Sequence, residues 1–172
     1  NIMSIFKIKN VIVFESNADY SDNSRAFYEY LIREKYNEKY KIYWFVNDGK
    51  KFRERECKNV RFITMWHNTT KKTFIQWIKY FWIVKNAKYL ISSNRVLHRL
   101  NKKTVTININ HGTPLKRVKD LKIVPKDIDM ALVGSDYCID MMSYQLNLKK
   151  EQMICVGNPR NDVLFRNTNT KE

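Results

Sequence analysis

His111-Gly-Thr-Pro-Leu-Lys116 combines an imidazole with the local chemistry of an anion site. The unperturbed pKa of histidine lies nearest neutral pH, so its side chain can take a proton from a hydroxyl and pass it on. Gly112 can adopt backbone conformations closed to other residues and lets a ligand approach the main chain. Thr113 is a competent helix N-cap, and Pro114 suits a first helical position, where no N–H is needed. A short helix starting there would aim free amides and a positive dipole end at whatever lies beside His111, and Lys116 would add a mobile charge. The combination points to proton abstraction next to a phosphate. The same hexapeptide also suits a plain strand-to-helix turn whose histidine bonds only to backbone, and the residues alone leave both readings open.

Other polar groups stand where strands give way to loops. Asp19 and Asp22 could orient an acceptor hydroxyl or the base, and Asn23 and Arg25 could contact a phosphate, although Asp19-Tyr-Ser-Asp-Asn23 is also good turn and capping chemistry. Ser92, Ser93, Asn94 and Arg95 could hydrogen-bond a substrate or simply form a polar turn. Ser135 opens the passage after a later strand. In Gly157-Asn-Pro-Arg-Asn-Asp162, Pro159 stiffens the turn, and Arg160 could pair with a neighbouring acid or grip a phosphate bidentately; a positioning role is favoured. His67 and His98 have no partner at metal-ligand spacing and read as structural histidines. Cys57, Cys138 and Cys155 are odd in number and never in a Cys-x-x-Cys pair, so neither a disulfide framework nor a zinc site is implied. Cys138 and Cys155 sit in apolar runs and read as small buried hydrophobes.

The elements that must position these groups alternate short β-rich runs with longer amphipathic segments, the pattern of βα units in a parallel sheet. Strands are expected at Val11–Glu15, Lys41–Val46, Val60–Ile63, Tyr89–Ser92, Thr104–Ile109, Met130–Val133 and Met153–Val156. Helices are expected at Asn23–Lys35, Lys50–Cys57, Lys71–Asn86 and Asp136–Leu146, and briefly after Pro114, with Asp22 and Ser135 as caps of the first and last long ones. Ligands of α/β sheets bind at the carboxyl ends of the strands. That rule gathers the loops at 16–23, 92–95, 111–116, 134–137 and 157–162 along one edge. Within Lys71–Asn86, a helical wheel gives an apolar face of Phe74, Ile75, Trp77, Ile78, Phe81, Trp82 and Val84, leaving Tyr80 and Ile83 outside it. Such a face fits core packing, and its lysines Lys71, Lys72, Lys79 and Lys85 also suit a helix lying on anionic headgroups.

The chain has 172 residues, enough for one domain, read as 1–165 followed by a polar tail or linker at 166–172. Lys and Arg number 32 against 17 Asp and Glu, a net charge of +15 that draws polyanions. The basic residues are scattered, without an RNA-binding signature or zinc-finger spacing, which favours a broad field over nucleic-acid reading. No run approaches the roughly 20 apolar residues of a spanning helix, and the cysteine usage fits a reducing compartment.

Several segments together resemble one family. Asn110-His-Gly-Thr-Pro-Leu-Lys116 is similar to the tryptophan-His-Gly-Thr-Pro-Leu-Lys signature of the CDP-glycerol glycerophosphotransferases, the teichoic-acid primases and polymerases, with Asn110 where the family usually has tryptophan. Val11–Ser16 with Asp19–Tyr30 resembles its opening strand, acidic loop and first helix. Val133-Gly-Ser-Asp-Tyr137 resembles a later strand-to-helix passage, and Gly157–Asp162 its Gly-x-Pro-Arg-x-Asp motif. The resemblance implies a Rossmann-like parallel sheet with helices on both faces, the N-terminal, acceptor-side half of a GT-B fold. It implies transfer of glycerol phosphate from CDP-glycerol to a membrane-linked teichoic-acid or related polymer, with release of CMP and no metal or other cofactor. His111 would be the catalytic base, and Asp19, Asp22, Asn23, Arg25, Ser92, Asn94, Gly112, Thr113, Lys116, Ser135 and Arg160 would serve substrate binding. CDP-glycerol would be held mainly by a second domain, leaving this part inactive alone, and the enzyme would sit peripherally on the cytoplasmic membrane face. The competing expectation is a non-catalytic basic module that binds membrane or polyanion.

Overall fold

The computed structural model describes residues 9–65, 74–93, 97–112 and 128–165. Seven strands form one sheet: β1 (Val11–Glu15), β2 (Lys41–Val46), β3 (Val60–Thr64), β4 (Tyr89–Ser92), β5 (Val105–Asn108), β6 (Met130–Val133) and β7 (Met153–Cys155). Every adjacent pair is parallel, in the order β3-β2-β1-β4-β5-β6-β7. A parallel sheet is covered on both faces, so its inner strands are apolar throughout instead of alternating. β1 obeys this fully, with all five residues buried, and the edge strand β7 buries only Met153.

Three α-helices flank the sheet: α1 (Asp22–Arg33), α2 (Phe74–Asn86) and α3 (Ile139–Leu146). Tyr28 and Leu31 of α1 cover the face carrying Ile12, Phe14, Ile42, Trp44 and Phe62. Trp44 is completely buried and stacks on Phe14 with ring centroids 5.3 Å apart. Ile83 and Val84 of α2, with Ala87, cover the opposite face at Val11, Val13, Phe45 and Leu90. A third cluster joins β6 and β7 to Met142 and Leu146 of α3.

All seven expected strands are present, displaced by at most a residue at their ends. The helices differ more. The expected helix at Lys50–Cys57 is a 3₁₀ segment, Gly49–Arg55, opened by the Asp48 carboxylate accepting from Lys50 N at 3.0 Å. It hugs β3 so closely that a Cβ on Gly49 would meet the Phe62 carbonyl oxygen at 2.8 Å. The last helix likewise enters through a 3₁₀ turn, Asp136–Cys138. Unforeseen 3₁₀ segments occupy Tyr36–Glu38, Lys150–Gln152 and Pro159–Phe165. Neither proposed cap works as such. Ser21 takes the N-cap position of α1 while Asp22 is its first residue, and Ser135 makes no capping hydrogen bond. Cys138 is buried as expected, whereas Cys155, on the edge strand, is exposed.

The largest correction concerns α2. Its buried stripe is Tyr80, Ile83 and Val84, with Tyr80 stacked on Phe45 at 5.0 Å. Phe74, Ile75, Trp77, Ile78, Phe81 and Trp82 are exposed. The apolar side chains run most of the way around this helix, so a wheel could not say which sector faces the sheet; the sector of Tyr80, Ile83 and Val84 is the one that packs on it. The expected turn of helix after Pro114 and the 166–172 tail lie outside the described residues.

Candidate functional site

The chain runs from β1 outward to β3 and then crosses to β4 on the other side of β1, so the topological switch point lies between β1 and β4. Open α/β sheets bind ligands outside the carboxyl end of such a point. Glu15 and Ser92 are register partners there, both buried, and Glu15 is completely so. The loop leaving β1 is held in an unusual shape. Ala18, Tyr20 and Asp22 have φ of 59°, 54° and 60°, a region that costs a non-glycine residue roughly 1–2 kcal/mol. Ser16 Oγ donates to the Ala18 carbonyl at 3.1 Å, and Ser21 Oγ donates to the carbonyls of Asn17 and Ala18. Asp19 turns away from the cleft: its carboxylate accepts from Asn47 N at 2.7 Å and from Asn47 Nδ2 at 3.0 Å, closing the end of β2.

Asn23 is the hub. Its side chain is completely buried, with Nδ2 donating to the carbonyls of Ile109 at 3.1 Å and Asn110 at 2.9 Å. The same nitrogen lies 3.3 Å from Asn158 Oδ1, and Asn23 Oδ1 accepts from Arg160 N at 3.2 Å. One amide therefore ties the start of α1 to the loops after β5 and β7. The β5 loop is further set by Asn110, whose φ of 53° is tolerated by asparagine better than by most residues. Asn108 Oδ1 accepts from Asn110 N at 2.9 Å, and Asn110 Oδ1 accepts from His111 N at 2.7 Å. The residue that departs from the family signature thus fixes the histidine backbone in this chain.

His111 is exposed on this turn. Gly112 has φ of 132°, a conformation that favours glycine, and a Cβ there would come within 2.8 Å of the flexible end of Arg160, at Nη2, which would have to shift. Arg160 Nη1 pairs with Asp22 Oδ1 at 2.6 Å, and Arg25 Nε pairs with Glu29 Oε1 at 2.7 Å. These four charged residues line a groove of about 500 Å3 between α1 and the Pro159–Phe165 turn. Asp22, Asn23, Gly112 and Arg160 are therefore brought together around His111, with Arg25 beside them. Ser92 marks the switch point. Ser135 is exposed after β6 with Oγ 3.3 Å from Cys138 Sγ. Asn94, Thr113 and Lys116 lie outside the described residues, as does His67; His98 is exposed. Among the described residues no cluster of His, Cys, Asp or Glu could hold a metal ion.

Reasoning from sequence passed over Glu15, Asn108 and Asn158. Glu15 carried a usable signal, since a carboxylate closing an otherwise apolar strand is out of pattern. The two asparagines carried none until the loops were brought together.

Solved structures share this architecture. A variant of the wall teichoic acid polymerase TagF soaked with CDPG superposes with a TM-score of 0.73 at 23% identity, covering 95% of this chain and 42% of that one. A second TagF variant gives 0.72 at 24% identity over 94% of this chain and 42% of the other. These likenesses establish the fold, a Rossmann-like half of the GT-B type. In sequence, a teichoic acid poly(glycerol phosphate) polymerase of Staphylococcus epidermidis is 30% identical over 94% of this chain and 23% of its own length. A teichoic acid glycerol-phosphate transferase of Staphylococcus aureus is 25% identical over 99% of this chain and 46% of its own length. The chain thus spans less than half of either curated relative. Residues 2–172 match the family described as CDP-glycerol:poly(glycerophosphate) glycerophosphotransferase, and this chain belongs to that family.

Proposed function

We propose that this chain is the acceptor-side part of a glycerophosphotransferase that extends a membrane-linked glycerol-phosphate polymer. His111 takes the proton of the acceptor's terminal hydroxyl. The freed oxygen attacks the glycerol-bearing phosphorus of CDP-glycerol, the bond from that phosphorus to the bridging oxygen breaks, and CMP leaves. In such a transfer most of the rate comes from alignment and charge stabilisation, so a rigid turn matters as much as the base. The observation that carries this reading is the exposed His111 on a turn that, among the described residues, is tied down through Asn110 and Asn23 and lies against Arg160. Arg160 and Arg25 would exchange their carboxylate partners for phosphate oxygens when substrate enters. The cytidine is left to a second domain, and the isolated chain is expected to be inactive.

Membrane attachment at the cytoplasmic face completes the proposal. Phe74, Trp77 and Phe81 stack in succession on the exposed side of α2, at 6.0 Å and 5.5 Å, with Lys9 4.5 Å from the Trp82 ring. Apolar rings with flanking lysines are the composition of a helix seated at an anionic interface. None of the described helices is long and apolar enough to cross a membrane. The test is CMP release from CDP-glycerol by the full-length enzyme carrying His111→Ala. A positioned base contributes roughly 10²–10⁴-fold, and a loss of that size with unchanged melting temperature is expected. Near-normal turnover would remove His111 from the chemistry, and a parent protein that never releases CMP would favour the binding-module reading.

A further inference from the structure

A second charged groove lies at the far side of the sheet from His111. It has a volume of about 430 Å3 and runs between the edge strand β3 and α2, with Lys50, Arg53, Arg61 and Lys79 on its walls and Glu56 as its one acid. Lys50, Arg53, Arg61 and Lys79 are all exposed. Glu56 is already engaged, accepting from Phe62 N at 2.9 Å and standing 3.7 Å from Arg61 Nε. Lys50, Arg53 and Lys79 make no ion pair among the described residues. The groove beside His111 is the reverse case, with Asp22 and Glu29 balancing Arg160 and Arg25.

The outer groove is also held firmly in shape. Gly49 N donates to Thr64 Oγ1 at 2.9 Å, and Phe52 stacks on Phe62 at 5.2 Å, so the segment bearing Lys50 and Arg53 is pinned to β3. Exposed like charges gathered in one groove repel one another only weakly through water, but their summed field draws an anion to it. Four strand spacings separate β3 from β5, placing the groove about 19 Å across the sheet from the His111 turn. Arg55 and Arg25, both over the Tyr20 ring at 4.9 Å and 5.0 Å, stand on the way between them.

We infer that this groove is an exosite for the phosphodiester backbone of the acceptor polymer, holding phosphates several repeats upstream of the hydroxyl presented to His111. The inference rests on the proposed function, since it takes the polymer as substrate. A linear chain with a phosphate in every repeat can place charge at both grooves at once, which a single donor molecule cannot. A lipid headgroup fits the arrangement less well. At about 100° per residue, Phe74, Trp77 and Phe81 lie on one flank of the buried stripe of α2 and Lys79 lies on the other, while Gln76 falls in line with the stripe itself. A bilayer meeting the aromatic ridge would leave the groove to one side.

The test measures the affinity of synthetic glycerol-phosphate oligomers of graded length for wild type, for the double variant Lys50→Gln/Arg53→Gln, and for Lys79→Gln. Wild-type affinity should rise with length until an oligomer spans both grooves and then level off. Both variants should lose that gain, keep wild-type affinity for the shortest oligomers, and keep their melting temperatures. The slope of log affinity against log salt should fall by about 0.7–1 for each cation removed. Three results overturn the exosite: a wild type without a length gain, variants that keep the gain, or variants that lose phosphatidylglycerol vesicle binding in its place. CMP release that still depends on His111 in any of those cases would leave the proposed function standing and the exosite alone refuted.

Discussion

At the carboxyl edge of β5 the polar groups are spent on one another; along α2 the apolar groups are left unspent. Asn23, Asn108, Asn110, Asp22 and Arg160 all satisfy partners within the fold, while the exposed His111 is held through its backbone by Asn110. On α2, six large apolar side chains face outward while the small sector of Tyr80, Ile83 and Val84 anchors the helix. The contrast separates two ways of building a surface for binding. One is a preorganised turn, where buried hydrogen bonds hold the backbone of a single outward-facing side chain still. The other is an adaptable apolar ridge, whose contribution is realised only when something covers it.

The two regions should respond oppositely to mutation, and the sharpest contrast comes from the hub. Asn23→Leu keeps the branched shape, with a larger volume, but strips the carbonyls of Ile109 and Asn110 of their donor, at about 1–3 kcal/mol for each buried group left unsatisfied. Chemical denaturation should show a loss of that order, and CMP release by the full-length enzyme should fall with it as the His111 turn loosens. Unchanged stability would mean that Asn23 is dispensable and that the turn is fixed by something else.

Asn110 tests the same turn more gently. Alanine at its φ of 53° should cost about 1–2 kcal/mol, and it also removes the acceptor for His111 N. Glycine relieves the backbone but still lacks the acceptor. If the side chain positions the histidine, Asn110→Gly should retain most of the stability and still lower kcat, whereas a purely conformational role predicts that glycine restores both.

How much of this was readable beforehand divides along the same line. The strands were legible because a parallel sheet writes each buried strand as a short apolar run, and Val11–Glu15, Lys41–Val46, Tyr89–Ser92 and Met130–Val133 begin and end where expected. His111, Gly112 and Arg160 were legible through their neighbours in sequence. The Asn23 hub was not, because its partners lie 86 and 87 residues away and the amide carries no local signature. The buried face of α2 was misjudged because hydrophobicity around that helix is nearly uniform, so the choice fell to shape complementarity with Val11, Val13 and Phe45, which a wheel does not contain.

The amino end of the sheet supplies a control remote from both regions. Asp129 accepts from Thr106 N and Oγ1 at 2.8 Å and 3.0 Å and pairs with Arg99 at 2.8 Å. Burial alone would raise its pKa; the hydrogen bonds from Thr106 and Arg99 outweigh it and hold the carboxyl below the usual aspartate range. A lowered folded-state pKa means stability that is present above the unfolded value and lost as pH falls through the folded one. Asp129→Asn should therefore flatten the acid limb of the stability curve below about pH 4, near the ordinary aspartate pKa. It should leave the His111 turn and vesicle binding alone. An acid limb identical to wild type would show that Asp129 contributes nothing to it.

The smallest stability effect belongs to the ridge. Trp77 is 43% exposed and touches Phe74 and Phe81, which are themselves exposed, so its removal opens no cavity in the core. Trp77→Ala should change stability by no more than about 0.5 kcal/mol, as surface substitutions do, against the 3–5 kcal/mol of a buried tryptophan. If the ridge seats on a membrane, the same substitution should reduce co-sedimentation with vesicles containing phosphatidylglycerol. The part of that binding due to the surrounding lysines should weaken separately as salt rises, because a shorter Debye length screens charge without touching the apolar contact. A large loss of stability would return Trp77 to the core. Unchanged stability with unchanged vesicle binding would leave the bulk charge to carry attachment and the ridge to serve some other contact.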